Sequence, residues 1–277
     1  AGVPSVMAEA RIPAAVKHID VAGEALTQAV VDRTRLEVSL YNYFGPTEMA
    51  VYVTGKEVIQ ADLPQRLSSI GKLLPNATGY VVDPQGITQL LQPQPQPIGV
   101  WGELWLGGVQ VARGYLNRAE LTAERFVAQP WPRSDASGRG VAYRTGDRVR
   151  WYADGELEFG GRIDLQVKLR GQRIELGEIE HALRAQPGVS DAVVLLAAAG
   201  NEASLVAYVS PSAAVSGVGA ASACGEVSDG APPLVVAVPF ALASSLAGAR
   251  EALPAYMLPS VVVGVDEWPR TSSGKID

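Results

Sequence analysis

Tyr41 to Tyr52 reads YNYFGPTEMAVY, an aromatic-rich strand that stops at Gly45-Pro46 and is followed at once by a hydroxyl, Thr47, and a carboxylate, Glu48. Gly and Pro are the commonest chain punctuators, so a plain turn accounts for the stop. The same groups at one strand end also suit a nucleotide with Mg²⁺, giving a ring face for the base, a donor for phosphate and a hard oxygen for the metal.

Four other places carry groups able to do chemistry. In Tyr143-Arg144-Thr145-Gly146-Asp147 a carboxylate follows a glycine turn, where an Asx-type turn is the plain alternative. GGRIDLQVKLRGQRIELGEIE sets Arg162, Asp164, Lys168, Arg170, Arg173, Glu175, Glu178 and Glu180 in one run. A solvated strand edge and helix with i,i+3 charge pairs accounts for most of them. In GELWLGGVQVARGYLNRAELTAERF, closely spaced glycines and Arg113 sit among apolar strand residues, which packing explains without a ligand. Lys275, in RTSSGKID, has the setting of a solvated lysine near a chain end.

The elements that must position these groups change texture along the chain. KHIDVAGEALTQAVVDRTRLEVSLYNYFG predicts strand, helix over Ala25 to Arg35, and strand, a βαβ-like unit with ligand-side loops at Gly23-Glu24 and Gly45 to Glu48. From about Gly79, short strands punctuated by Gly and Pro predict a small antiparallel barrel or sheet, with a hairpin turn at Asp154-Gly155. After Arg162 the pattern changes again. RIELGEIEHALRAQPGV predicts an amphipathic helix stopped near Pro187-Gly188, and SDAVVLLA and SLVAYVS follow as strands. The fold class is therefore mixed α/β, with a partial βαβ layer and a small β-barrel-like subdomain over 1–163, then a smaller α+β domain over 164–277. Ser210 to Pro233 is Ala/Gly/Ser-rich and predicts a disordered loop.

Composition bounds the rest. The 29 Gly and 19 Pro in 277 residues fall below the roughly 25–30% that marks low complexity, and the length suffices for a substantial core. A net charge of -6 offers no basic stripe for nucleic acid. One cysteine, Cys224, excludes an internal disulfide, and with only His18 and His181 the expectation is a cytoplasmic chain without structural metal. The start, AGVPSVMAEA, lacks the pattern of a secretory signal. Pro233 to Ala249 is apolar but short and broken by Pro239, Ser244 and Ser245, so it reads as a buried strand and helix rather than a membrane span.

Taken in order, YNYFGPTE, GELWLGGVQVARGYLNRAELTAERF, YRTGD, GRIDLQVKLRGQRIELGEIE, LPAYMLPS and SSGKID resemble the adenylation domains of nonribosomal peptide synthetases, within the adenylate-forming superfamily. The resemblance implies ATP-dependent activation of an amino acid as its adenylate, then transfer to the phosphopantetheine thiol of a peptidyl carrier protein beside neighbouring synthetase domains. By likeness, Phe44 stacks on adenine where most members carry Tyr, Gly45 belongs to the nucleotide-binding turn, Thr47 bonds phosphate and Glu48 holds Mg²⁺. Asp147 resembles the ribose-binding aspartate and Arg162 the arginine near it. Asp164 matches the hinge of a mobile C-terminal domain, and Gly171 the glycine lining the pantetheine path. Lys275 matches the mobile lysine that reaches the substrate carboxylate and α-phosphate. Asp20, Ala22, Tyr43, Val51 and Tyr52 match part of the side-chain pocket, too few to name an amino acid.

The family also carries a Ser/Thr/Gly-rich phosphate loop and an aspartate for the substrate's amino group in a long N-terminal part. Neither motif occurs in these residues, so the expectation is a C-terminal portion of the enzyme, incomplete alone. The alternatives are an aryl or acyl acid ligase of the same superfamily and a non-catalytic, adenylation-like binding module.

Overall fold

The computed structural model describes residues 2–34, 37–59, 63–83, 93–129, 140–199, 202–211, 235–237, 248–265 and 268–269. The chain divides into two compact units, Ala1–Asp164 and Leu165–Asp277.

The first unit opens with a short helix, α1 (Pro4–Met7), and then β1 (His18–Ala22), α2 (Gln28–Arg33) and β2 (Ser39–Phe44). β1 and β2 are parallel and in register from His18↔Ser39 to Ala22↔Tyr43. Because side chains alternate across a strand, Ile19, Val21 and Leu40 turn to one face, where they pack with Val30 and Val31 of α2. Asp20, Ala22, Tyr41 and Tyr43 share the other face. α2 is shorter than the expected Ala25 to Arg35: Thr27 is extended and Thr34 leaves the helix with ψ 120°.

The later strands are β3 (Thr54–Glu57), β4 (Ser69–Leu73), β5 (Ala77–Val82), β6 (Gly102–Gly108), β7 (Phe126–Ala128), β8 (Val141–Trp151) and β9 (Leu157–Arg162), with α3 (Ala119–Arg125) ahead of β7. They are antiparallel, as the turn spacing predicts, but among the described residues they close no barrel. They extend one nine-stranded sheet in the order β1-β2-β3-β4-β9-β8-β6-β5, with β7 on β8. The strand β4 makes this join by pairing with both β3 and β9. Gly71, at the irregularity of β4, has φ +81°, and a Cβ there would lie 2.2 Å from the Gly55 carbonyl oxygen. Only glycine allows the two backbones so close. The β8–β9 hairpin turns at Asp154-Gly155: Asp154 Oδ1 accepts the Glu156 N–H at 3.1 Å and Gly155 has φ +83°.

A polar cluster ties this hairpin to β3 and β4. Lys56 Nζ lies 3.0 Å from Glu156, the two side chains being 7% and 15% exposed, and Ser69 Oγ donates to Glu156 at 2.6 Å. Arg66 bridges Asp154 and Glu156. Burial alone raises the Glu156 carboxyl, but the bonds from Ser69 and Lys56 outweigh it and hold it below its ordinary 4.5. A depressed folded value contributes stability that is fully present above pH 4.5 and lost as pH falls through the folded value. Glu156→Gln is therefore expected to destabilise by about 3 kcal/mol at neutral pH, because it leaves the Lys56 ammonium without its counter-charge in a buried place. Urea midpoints of both forms should converge in acid; a gap that widens as the pH falls would contradict this account.

The second unit begins with a hairpin, β10 (Gln166–Leu169) and β11 (Gln172–Glu175). Its two turn residues, Arg170 and Gly171, have φ +51° and +77°, the pattern of a type I′ turn. α4 (Leu176–Arg184) follows, burying Leu176, Ile179 and Leu183, and ends before Pro187-Gly188 as its periodicity predicts. β12 (Val189–Ala199) and β13 (Glu202–Pro211) pair antiparallel. β14 (Val235–Ala237) and β15 (Val261–Gly264) complete a sheet in the order β12-β13-β15-β14. Its core joins Ile174, Ile179, Val194, Leu205, Ala207 and Val262.

The expected loop over Ser210 to Pro233 starts too early. Ser210 belongs to β13, is buried, shares a 2.7 Å hydrogen bond with Ser190 and accepts one from Trp268 Nε1 at 3.0 Å. Residues 212–233 lie outside the described residues. Of the apolar run to Ala249, the strand at 235–237 and the helical 248–249 are described. Among the described residues no helix is long and apolar enough to cross a membrane.

Candidate functional site

The end of β2 leads through Gly45 and Pro46 into a 3-10 turn, Thr47–Met49. A Cβ on Gly45 would lie 2.3 Å from the Val51 carbonyl oxygen, so the returning chain requires glycine here. Ala50 and Val51 are both left-handed, with φ +54° and +81°. For a β-branched residue that conformation is strained. The turn exposes Thr47 and buries Glu48, which is 7% exposed. Phe44 is also 7% exposed, its ring tilted against Phe159 at 6.1 Å in the core of this unit.

Glu48 is held from outside its own segment. Tyr115 Oη donates to Glu48 Oε1 at 2.5 Å, and the Ala112 N–H donates to the Glu48 carbonyl at 2.8 Å. The Tyr115 hydroxyl also lies 3.4 Å from the hydroxyl of Tyr143, which is fully buried in β8. Burial first, and then the bond to Glu48, push the Tyr115 phenol well above its ordinary value, so it stays a protonated donor.

Four residues beyond Tyr143 on the same strand stands Asp147, with a side chain 3% exposed. Arg162 Nη1 donates to Asp147 Oδ1 at 2.9 Å, while its Nε and Nη2 form a fork to Asp164 Oδ1 and Oδ2, both at 2.7 Å. One guanidinium thus bridges two carboxylates. Gly146 fits closely beside them: a Cβ there would meet Arg162 Nη2 at 2.6 Å. Its N–H donates to Glu103 Oε1 at 3.1 Å, and Glu103 Oε2 takes the Trp105 indole at 2.9 Å and Arg144 Nη2 at 3.2 Å.

On the face of β1 and β2 opposite α2, Asp20, Ala22 and Tyr43 are neighbours, and Tyr52 stacks on Tyr43 with ring centres 4.8 Å apart. Gly55 makes room, since a Cβ there would lie 2.6 Å from the Tyr43 ring. His18 Nε2 meets Asp20 Oδ1 at 2.5 Å, and the His18 ring stacks on Tyr41. Val51 is 60% exposed beside Tyr52.

The structure therefore gathers Thr47 and Glu48 in one turn, Asp147, Arg162 and Asp164 in one ion-paired group, and Asp20, Ala22, Tyr43 and Tyr52 on one sheet face. Gly171 belongs to the second unit, where its φ serves the hairpin turn. Lys275 lies outside the described residues. The sequence assigned no role to Tyr115, Tyr143 or Glu103, though all three lie in its motifs. For Glu103 a signal exists: an acid inside the apolar run of GELWLGG must find partners when buried. The phenol of Tyr115 is one aromatic among many until the chain is folded.

The Glu48 carboxylate and the Thr47 hydroxyl, adjacent in sequence in this turn, are hard oxygen donors of the kind Mg²⁺ takes. Among the described residues no three His, Cys, Asp or Glu side chains cluster as a metal cage. A cation at Glu48 would take its other ligands from phosphate and water, as Mg²⁺ commonly does.

Residues 2–116 match the family model of the AMP-binding enzymes. The chain is 41% identical over 96% of its length to malpinin synthetase of Mortierella alpina. Identity is 41% over 96% to gramicidin S synthase 2 of Brevibacillus brevis, and 43% over 94% to phosphinothricin tripeptide synthetase PhsB of Streptomyces viridochromogenes. The chain spans only 3%, 5% and 19% of those relatives. It superposes over its whole length on 43% of holo-PA1221, an NRPS protein containing adenylation and PCP domains, with TM-score 0.72 and 27% identity. The amide bond synthetase McbA of Marinactinospora thermotolerans, at 20% identity and TM-score 0.73, shares the fold.

Proposed function

We propose that this chain forms the C-terminal portion of an adenylation site that activates an amino acid with ATP and loads the resulting aminoacyl group onto the phosphopantetheine thiol of a peptidyl carrier protein. The observation that carries the reading is the buried Glu48 carboxylate, fixed by Tyr115 in the turn that exposes Thr47. Adenylate formation needs no enzyme nucleophile. It needs two anions, a carboxylate and a triphosphate, brought together while negative charge grows, so positioned cations and donors lower the barrier.

Thr47 donates to phosphate, and Glu48 would hold Mg²⁺. Bound Mg²⁺ would neutralise phosphate charge. Asp147 accepts from the ribose hydroxyls, with Arg162 keeping that carboxylate in place and itself close to the sugar. Phe44 offers its remaining ring surface to adenine. The face of Asp20, Ala22, Tyr43, Val51 and Tyr52 supplies part of the side-chain pocket. Asp164 serves as the hinge between a large portion, 1–163, and a C-terminal portion, 164–277. Gly171 lines the pantetheine path, and Lys275 supplies the cation between carboxylate and α-phosphate. Neighbouring synthetase domains deliver and receive the carrier, and the one-cysteine composition suits the cytoplasm.

The test is substrate-dependent exchange of labelled pyrophosphate into ATP, run across amino acids and aryl acids with a complete adenylation unit that carries this chain. Exchange with an amino acid, lost when Lys275 becomes Ala while thioester formation from preformed adenylate survives, is the expected result. Exchange confined to aryl acids, or equal loss of both steps in Lys275→Ala, would overturn the assignment.

A further inference from the structure

The segment Ala112 to Leu116 follows β6 and is pinned against the turn that carries Glu48. Its Ala112 N–H bonds the Glu48 carbonyl, and its Tyr115 hydroxyl bonds the Glu48 carboxylate at 2.5 Å. Tyr115 is itself well located. Its N–H donates to Thr122 Oγ1 at 2.9 Å, and its ring stands edge-on to Phe126, 5.4 Å away at 72°. Gly114 lets the chain pass Thr122 closely, since with φ +142° a Cβ there would lie 2.4 Å from Thr122 Cγ2. Phe126 in turn packs on Tyr143, whose hydroxyl lies 3.4 Å from that of Tyr115. Helix α3, strand β7 and strand β8 together fix one phenol oxygen, and that oxygen fixes one carboxylate oxygen.

We propose that Tyr115, backed by Tyr143, is a positioning residue that sets the orientation of the Glu48 carboxylate for a divalent cation. The inference rests on the reading that Glu48 is the cation's protein ligand. Mg²⁺ demands near-ideal octahedral geometry and tolerates little ligand wander. A glutamate with three rotatable bonds at a strand-end turn would sample many carboxylate directions. A hydrogen bond to one oxygen from a phenol that cannot move selects one of them before the cation arrives, which removes an ordering cost from binding. Losing such an outer-shell partner typically weakens metal binding by about 10- to 100-fold.

A bond that served only the fold would predict something else: loss of stability with cation affinity intact. The experiment therefore measures both. In a complete adenylation unit carrying this chain, Mn²⁺ binding in the presence of α,β-methylene-ATP is followed by electron paramagnetic resonance, beside urea midpoints, for wild type, Tyr115→Phe, Tyr143→Phe and Glu48→Gln. Tyr115→Phe should raise the Mn²⁺ Kd by about 10- to 100-fold, with Tyr143→Phe raising it less, because it removes only the support of the phenol. The Mg²⁺ concentration for half-maximal exchange should rise in parallel, while the rate at saturating Mg²⁺ stays near wild type. If Glu48→Gln weakens Mn²⁺ binding but Tyr115→Phe and Tyr143→Phe do not, the positioning role is wrong and the Glu48 reading stands. If Glu48→Gln leaves Mn²⁺ binding unchanged, both fall. Should Tyr115→Phe fail to fold, Tyr143→Phe alone decides, since an unchanged Kd in that folded variant would also refute the relay.

Discussion

In a complete adenylation unit carrying this chain, the proposed role of Glu48 predicts that Glu48→Gln slows amino-acid-dependent ATP–pyrophosphate exchange by about 10²- to 10³-fold, the usual loss when one preorganised electrostatic group is removed from a charge-developing site. The substitution keeps shape and volume. Its amide oxygen can still accept from Tyr115, so the buried hydroxyl pair stays satisfied and the urea midpoint should hardly move. What disappears is the negative charge, and with it the attraction for a hard cation. Raising Mg²⁺ should restore part of the rate. A variant that unfolds no more easily than wild type yet exchanges within about five-fold of it, well short of the expected loss, would remove Glu48 from the chemistry.

The second large effect is expected at Arg162. Its three bonds join Asp147, whose side chain is 3% exposed, to Asp164. Arg162→Met keeps much of the length but takes the cation away from two carboxylates. Deleting the cation of a buried pair is strongly destabilising, here about 3 kcal/mol. The KM for ATP should rise about 10- to 100-fold, matching the 1.5–3 kcal/mol of a hydrogen bond to a charged group. Arg162→Lys separates the two consequences. An ammonium restores the charge but cannot reproduce a fork to Asp164 while reaching Asp147, so stability should recover more than ATP affinity. Full recovery of both by Lys would show that only the charge matters, and an unchanged KM in the folded Met variant would place the group away from the nucleotide.

Much of the architecture was legible in the chain. Alternation in HIDVA and SLYNYF, separated by a helical stretch, specifies a parallel pair with one apolar face; Asp154-Gly155 specifies a hairpin. The amphipathic spacing of Leu176, Ile179 and Leu183 specifies the helix of the second unit. These are local signals, because side-chain period and turn conformation belong to residues a few positions apart. The sequence left barrel and sheet both open, and the sheet found among the described residues was decided for a non-local reason. Whether antiparallel strands close on themselves or extend a neighbouring sheet depends on which edges meet, and here Gly71 and Gly55 allow β3 and β4 to join.

The same division runs through the site. Sequence alone supplied the groups: Thr47 and Glu48 after Gly45-Pro46, Asp147 after Gly146, Arg162 and Asp164 two residues apart. It could not show that Arg162 turns back to Asp147, fifteen residues away, as well as to Asp164. Nor could it single out Tyr115, which lies 67 residues from Glu48 along the chain. A hydrogen bond requires two atoms within about 3 Å in a fixed direction, and distances of that kind between distant residues exist only once burial has packed the strands. The sequence determined which chemistry was available; the tertiary structure decided which oxygen faces which donor.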